Sequence, residues 1–179
     1  MTDIQKKMLN PERAIVAHPF NPPYLLKLVE ISGGERTSQE TINFSKKFFK
    51  KLGKKPLILK KEIPGFIATR LQEALWREAL HMISKDSVKP KQIDFALKHG
   101  PSLRLAIQGQ CMAFHVACGD GGMAKNLDQF GPSLKLPWTR LKAPAITKKL
   151  RNTLVNSCVK MSKNKDYKTL SMERDKSIK

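Results

Sequence analysis

Two residues with the chemistry of a proton-transfer pair, His18 and Glu30, lie near the start of this 179-residue chain. The segment between them is rich in proline, which fixes backbone φ and removes amide donors, so we expect an ordered loop. An imidazole can act as a general base, and a carboxylate within hydrogen-bond reach would hold one of its tautomers. The spacing alone leaves a second interpretation open, in which a histidine at a strand end and a surface glutamate have no common role.

Short strands are predicted on both sides of this loop. Residues 13–17 form an apolar run that ends at His18, which is typical of a buried strand, and residues 26–31 predict a second strand. If the two strands fold back about Tyr24, His18 and Glu30 fall symmetrically on either side of the turn. Taken alone, the two strands would present unpaired edges, which favour aggregation.

The rest of the chain is predicted to be mainly helical. Ser38 is expected to cap a helix that ends near residue 52, and residues 55–60 predict a short strand. A long helix is expected after Pro64-Gly65, because apolar side chains recur every four residues and would form core or a dimer interface. These are Ile67, Leu71, Leu75 and Ala79, with Trp76 beside them.

Two further helices are predicted over residues 89–98 and 103–116. His115, in the second of them, is expected to be packed or hydrogen-bonded, with no catalytic role. The glycine-rich segment 119–122 follows this helix and has no strand before it, so it predicts a turn. No internal repeat is found.

The chain is strongly basic, with 34 Lys and Arg against 15 Asp and Glu, which gives a net charge of +19. The favoured interpretation of this charge is that the Lys and Arg side chains lie on a solvated surface. A role in attracting an anionic ligand, such as the phosphates of an acyl-CoA, stays open. Non-specific nucleic-acid binding is the least favoured, because no nucleic-acid module is recognised and only two Trp and two Tyr are available for stacking.

Composition also restricts the class of protein. No apolar stretch approaches the length of a membrane span, and no secretory leader is recognised, so a cytoplasmic location is expected. The three cysteines, Cys111, Cys118 and Cys158, have no metal-ligand spacing, and the four histidines are scattered. We therefore expect free thiols and no metal site.

The segment that contains the pair, His-Pro-Phe-Asn-Pro-Pro-Tyr-Leu-Leu-Lys-Leu-Val-Glu, resembles the 3-hydroxyacyl-CoA dehydrogenase family and is most similar to its L-carnitine 3-dehydrogenase branch. The resemblance covers roughly residues 2–143, and its blocks keep the order and spacing of the family. They are residues 11–31, 52–56, 61–67, 70–81, 100–104, 114–115, 119–123, 130–133 and 137–138.

The resemblance implies roles for individual residues. His18 would take the proton from a 3-hydroxyl group while NAD accepts the hydride from the same carbon, and Glu30 would orient His18. Asn21 and Thr69 would contact the substrate. The family normally has Asn at the position of Thr69, and the shorter hydroxyl reaches differently. Loss of one such transition-state contact costs on the order of 10²–10³ in rate.

One expected part of the family is not recognised in the chain. None of the ten glycines forms the Gly-x-Gly-x-x-Gly loop that binds pyrophosphate, and the family's upstream catalytic Ser is also missing. We therefore expect only the C-terminal part of a dehydrogenase, without its nucleotide-binding half. The predicted fold is mainly α with a small β portion: the last strands of a Rossmann-type domain over residues 1–62, an all-α dimerisation domain over 63–143, and a basic helical or disordered tail over 144–179.

Two functional hypotheses follow from the sequence. The first is a truncated or split NAD-dependent dehydrogenase for a small 3-hydroxy substrate, either a CoA thioester or carnitine, that acts only when a separate NAD-binding chain complements it. The second is a non-catalytic helical remnant that still forms a homodimer. Retention of His18 and Glu30 favours the first, whereas Thr69 and the missing glycine loop favour the second.

Overall fold

The structure is a computed structural model that describes residues 1–136 and then residues 139, 145, 147–161, 163, 165, 169 and 172. The chain divides into two compact units. The first comprises Met1–Gln72 and Tyr167–Lys179, and the second comprises Glu73–Asp166. Sixteen of the 36 residues in the predicted tail over 144–179, and Pro137-Trp138 of the resemblance, lie outside the described residues.

The first unit contains a three-stranded sheet and two helices. Its strands are in the order β1-β2-β3, with β2 antiparallel to β1 and parallel to β3. The elements in chain order are α1 (Thr2–Gln5), a 3₁₀ turn (Pro11–Arg13), β1 (Ile15–Pro19), β2 (Leu28–Gly33), α2 (Gln39–Lys51) and β3 (Lys55–Ile58).

The pairing of β1 with β2 confirms the predicted fold-back. Ile15 lies opposite Gly33 and His18 lies opposite Glu30, so the two strands are symmetric about Tyr24. His18 is inside β1, because the strand extends through the following proline. The turn brings the two ends of the thirteen-residue segment from His18 to Glu30 into register, as their equal distance from Tyr24 predicted.

The central strand and its helix form the core of this unit. Residues 29–32 of β2 are all buried, because β2 is paired on both edges and α2 packs against β2 and β3. The predicted cap of α2 is confirmed: Ser38 Oγ accepts a hydrogen bond from the Thr41 amide at 3.1 Å. The prediction of a short strand after this helix is also confirmed, by β3.

The second unit is helical among its described residues. A long helix, α3 (Ile67–Ser84), begins in the first unit and continues into the second, and Leu80 and Ile83 of α3 pack with Leu150 in a small core. The other helices are α4 (Pro90–His99), α5 (Pro101–Ala117), α6 (Gly122–Phe130) and α7 (Lys148–Met161), with 3₁₀ turns at Gly119–Gly121 and Gly131–Lys135. The prediction of a helix-rich chain with a small β portion is therefore confirmed.

Two details of the helical prediction are corrected by the structure. In α3, Leu71 and Leu75 are 58% and 56% exposed, so the four-residue stripe is not core over its first half. Only Ala79 from this stripe is buried, and a dimer interface stays a prediction. In α5, the backbone of Gly109 has φ 74° and ψ 172°, which breaks a helix that was predicted as continuous.

The predictions for the segment around His115 agree with the structure. Residues 119–121 form a turn, as expected, and His115 Nδ1 accepts a hydrogen bond from the Met123 amide at 3.1 Å. The predicted boundaries at residues 62 and 143 stay predictions. Within the described ranges, no helix combines the length and apolar character needed to cross a bilayer.

Candidate active site

His18 and Glu30 are in direct contact. Their opposite positions in the β1–β2 ladder bring the imidazole Nδ1 to 3.1 Å from the Glu30 Oε2 atom. The Glu30 side chain is fully buried, whereas the His18 side chain keeps 34% of its surface exposed. The pair therefore has a dry, fixed carboxylate at one end and an accessible ring at the other.

The second oxygen of Glu30 is held by the start of α3. Glu30 Oε1 accepts hydrogen bonds from the backbone amides of Ile67 and Ala68 at 2.9 and 3.2 Å. The first amides of a helix have no partner within the helix and lie at the positive end of its dipole, so a carboxylate is a suitable acceptor. Among the described residues, no buried side-chain oxygen or nitrogen lacks a hydrogen-bond partner. Burial of this carboxylate is offset by three hydrogen bonds.

A tight turn places an aromatic ring on His18. Gly65 and Phe66 both have left-handed backbones, with φ of 77° and 53°. The Phe66 ring stacks on the imidazole with centroids 4.7 Å apart and planes 18° apart, and Phe20 approaches by its edge at 5.6 Å. A left-handed backbone costs a non-glycine residue roughly 1–2 kcal/mol. Strain of this kind concentrates at functional sites.

The contacts determine which ring nitrogen is available. An ionised carboxylate only accepts hydrogen bonds, so we assign the proton to His18 Nδ1. The described contacts of His18 do not engage Nε2, whose lone pair is left to accept a proton from a bound hydroxyl group. This is the arrangement of a general base with an orienting acid.

The side chains of the two other predicted site residues make no hydrogen bond in the described part of the chain. Asn21 is exposed and follows Phe20 just after β1. Thr69 is half-buried in the first turn of α3, immediately after the amide of Ala68 that binds Glu30. Thr69 is thus adjacent in sequence to a residue that binds Glu30. The substrate contacts of Asn21 and Thr69 stay predictions.

Sequence reasoning did not identify the residues that hold the pair. Phe66 and the amides of Ile67 and Ala68 contact the pair, but the sequence pattern predicted no role for them beyond the family resemblance of the segment around them. Pro64-Gly65 is a signal for a turn. Nothing in the pattern, however, predicts that a phenylalanine would take a left-handed backbone or that its ring would reach a histidine 48 positions earlier in the chain.

The glycines between β2 and α2 do not have the spacing of a pyrophosphate-binding loop. This strand-to-helix turn contains Gly33 and Gly34, and a Cβ on Gly34 would overlap the Gln5 side chain. Gln5 is fully buried, and its amide donates to the Pro11 carbonyl and to Thr37 Oγ1 at 2.7 and 2.8 Å. Gly34 therefore leaves space for Gln5, which is a structural role.

Family models match both parts of the chain. Residues 1–63 match the NAD binding domain of 3-hydroxyacyl-CoA dehydrogenase, and residues 65–157 match the C-terminal domain of the same enzyme. The expectation that the chain is only the C-terminal part is therefore wrong, because its first 63 residues belong to the NAD binding domain. NAD is the cofactor that this domain and the dehydrogenase relatives indicate.

The most informative relatives share nearly half of their residues with the chain. The chain is 47% identical to L-carnitine dehydrogenase of Streptomyces coelicolor, over 99% of the chain and 56% of the relative. It is also 47% identical to L-carnitine dehydrogenase of Bacillus cereus, over 96% of the chain and 53% of the relative. The chain thus spans about half the length of the curated relatives it matches.

Solved structures show the same fold at lower identity. A 5-formyl-3-hydroxy-2-methylpyridine 4-carboxylic acid 5-dehydrogenase has a TM-score of 0.75 and 22% identity, with 99% of this chain and 58% of that chain covered. A 3-hydroxyacyl-CoA dehydrogenase from Archaeoglobus fulgidus has a TM-score of 0.58 and 23% identity, with 87% and 51% covered. With both family models matched in sequence, this chain belongs to the 3-hydroxyacyl-CoA dehydrogenase family.

Proposed function

We propose that this chain performs the proton transfer of an NAD-dependent dehydrogenase that oxidises a 3-hydroxyl group to a 3-keto group. The observation that carries the proposal is the His18–Glu30 pair, in which Nδ1 is bound to a buried carboxylate and Nε2 has no partner among the described residues. In this proposal His18 Nε2 removes the hydroxyl proton, and Glu30 keeps the ring oriented and stabilises the imidazolium that forms. NAD, when bound, supplies the hydride acceptor.

The proposal includes complementation from outside these 179 residues. Since none of the glycines in the chain has the Gly-x-Gly-x-x-Gly spacing, the loop that binds pyrophosphate would come from another segment or another chain. In this view β1, β2 and β3 are the last strands of the NAD-binding domain. A split dehydrogenase of this kind would be inactive alone and active with its missing segment.

L-carnitine is the substrate that we favour, because the relatives with the highest identities quoted above are named L-carnitine dehydrogenases. A 3-hydroxyacyl-CoA is the alternative substrate, and the net charge of +19 would favour its phosphates. Both substrates carry a hydroxyl group on the carbon that is oxidised, so His18 would have the same role with either.

A second candidate function is that of a non-catalytic helical module that forms a homodimer. It is supported by apolar side chains that stay exposed on the helices, such as Leu71, Leu103 and Ile107, the last of which is 85% exposed. Surfaces of this kind mark interaction sites. The absence of Asn at the position of Thr69 also favours this candidate.

The test measures NADH formation from L-carnitine and from 3-hydroxybutyryl-CoA. The purified chain is assayed alone and with the nucleotide-binding segment of the Streptomyces coelicolor relative added in trans. We expect turnover only with the added segment, and its loss in His18→Asn. His99→Asn is the matched control, because His99 is on α4 and has no carboxylate partner in the described part of the chain. Absence of turnover in every mixture, with the chain still folded, would leave the helical module as the function.

A further inference from the structure

We propose that Phe66 is a positioning residue for His18, which holds the plane of the imidazole so that Nε2 faces a bound substrate. The catalytic consequence of this assignment rests on the proposed function. The observation is the parallel stack of the two rings, with centroids 4.7 Å apart and an interplanar angle of 18°. Glu30 binds one ring nitrogen of His18, whereas Phe66 lies on the face of the ring.

The hydrogen bond to Glu30 does not fix the plane of His18 by itself. It restrains χ1 and χ2 through one ring atom, Nδ1, but a hydrogen bond tolerates a range of N–H···O angles, so the ring plane can still tilt. A tilt would move Nε2 out of line with a hydroxyl group. The flat contact with Phe66 on one face and the edge of Phe20 remove this freedom.

The backbone of Phe66 shows why an aromatic side chain at this position has a cost. At φ 53° a glycine would be unstrained, so the phenylalanine is placed there against its conformational preference. The same turn presents the amides of Ile67 and Ala68 to Glu30. The same turn therefore holds both members of the pair: the Phe66 ring orients His18, and the amides that follow it bind Glu30.

The chain offers a matched control for this stack. Phe95 and His99 lie on α4 with ring centroids 4.5 Å apart, but their planes are tilted by 44°. Among the described residues, His99 has no carboxylate partner. Removal of Phe95 thus deletes a phenylalanine beside a histidine without touching the His18–Glu30 pair.

The first measurement is the tautomer and the ring-proton shifts of His18, by NMR of the full chain with ¹⁵N-labelled histidine at a pH where the ring is neutral. We expect one tautomer, protonated at Nδ1, with ring protons shifted upfield by the stacked Phe66 ring. Phe66→Tyr should keep both properties. Phe66→Leu, and Phe66→Gly in case the leucine variant does not fold, should keep the Nδ1 tautomer, because Glu30 still accepts from Nδ1, but should lose the upfield shift and the native NOE contacts between the His18 and Phe20 rings.

The same NMR spectra provide the control and the results that would overturn the proposal. Phe95→Leu should change the signals of His99 and leave those of His18 unchanged. The proposal is overturned if both Phe66→Leu and Phe66→Gly keep the native NOE contacts between the His18 and Phe20 rings, or if these contacts are absent in the unsubstituted chain. Loss of folding in both variants also overturns it, because Phe66 would then be a structural residue.

The second measurement is turnover in the mixture with the added nucleotide-binding segment. Phe66→Leu should lower kcat about 10-fold to 100-fold with KM unchanged, since a misplaced base reacts slowly although the substrate still binds. Phe66→Tyr should restore the rate, and an unchanged kcat in Phe66→Leu contradicts the proposal. If no mixture turns over, the proposed function fails while the NMR result still decides whether Phe66 orients His18.

Discussion

Replacement of Glu30 removes the acceptor of three hydrogen bonds at once, and its cost can be worked out from the structure. Glu30→Ala would leave the amides of Ile67 and Ala68 and the His18 Nδ1 proton without their partner. A hydrogen bond to a charged group contributes about 1.5–3 kcal/mol. Because Ile67 and His18 are partly exposed, water replaces some of the lost partners. We therefore expect Glu30→Ala to lower the free energy of unfolding by about 3–5 kcal/mol.

Glu30→Gln separates the fold from the chemistry. The amide oxygen of glutamine can still accept from Ile67 and Ala68, so the free energy of unfolding should fall by only about 1–2 kcal/mol. Its NH₂ group would instead donate to His18 Nδ1, which moves the ring proton to Nε2 and removes the base. By analogy with the wrong-tautomer effect in a serine protease, kcat should fall by about 10³–10⁴ in the complemented assay.

The assay is urea unfolding followed by circular dichroism, with Glu35→Ala as the control. Glu35 is an exposed loop glutamate, and its replacement should change the free energy of unfolding by less than about 0.5 kcal/mol. If Glu30→Ala is no more destabilising than Glu35→Ala, the buried carboxylate does not hold the start of α3. If Glu30→Gln keeps full turnover, the tautomer argument is refuted.

Three further predictions concern the first unit. Ser38→Ala removes the side-chain cap of α2 and should lower the free energy of unfolding by about 1 kcal/mol in urea titrations, and an unchanged value would contradict the cap. Gly34→Ala should cost about 1–3 kcal/mol because its Cβ overlaps Gln5, and the double variant with Gln5→Ala should show less than the sum of the two costs; strict additivity would argue against the overlap. The pKa of Glu62 is lowered to about 2 by hydrogen bonds from the N-terminal ammonium group and from Thr2. A lowered carboxyl pKa stabilises the fold above the ordinary value of 4.5, and this contribution is lost as the pH falls towards 2. The loss of stability between pH 4.5 and pH 2 should therefore be smaller in Glu62→Gln than in the native chain, and equal acid titrations by circular dichroism would refute this.

Much of the secondary structure followed from local signals in the sequence. Proline and glycine ended the strands, Ser38 marked the start of α2, and the symmetry of the loop about Tyr24 predicted that His18 would lie opposite Glu30. These features depend on neighbours within a few residues or on one hairpin-like connection. The family, too, was recognisable from the order and spacing of short motifs.

Other features were decided by the tertiary structure. The amides of Ile67 and Ala68 lie 37 and 38 positions from the carboxylate that they bind, and no local pattern encodes such a distance. The stripe of apolar side chains every four residues on α3 predicted a buried face, but only Ala79, its last member, is buried.

The sequence alone supplied the two chemical groups, an imidazole and a carboxylate, and predicted that they could lie opposite each other on two adjacent strands. Only the tertiary structure decided that they form a pair, that the carboxylate is dry, that the described contacts leave Nε2 without a partner, and that Phe66 covers the ring. The physical reason is that burial, a strained backbone and ring stacking are stabilised by contacts between segments distant in sequence, and these contacts exist only once the chain has folded.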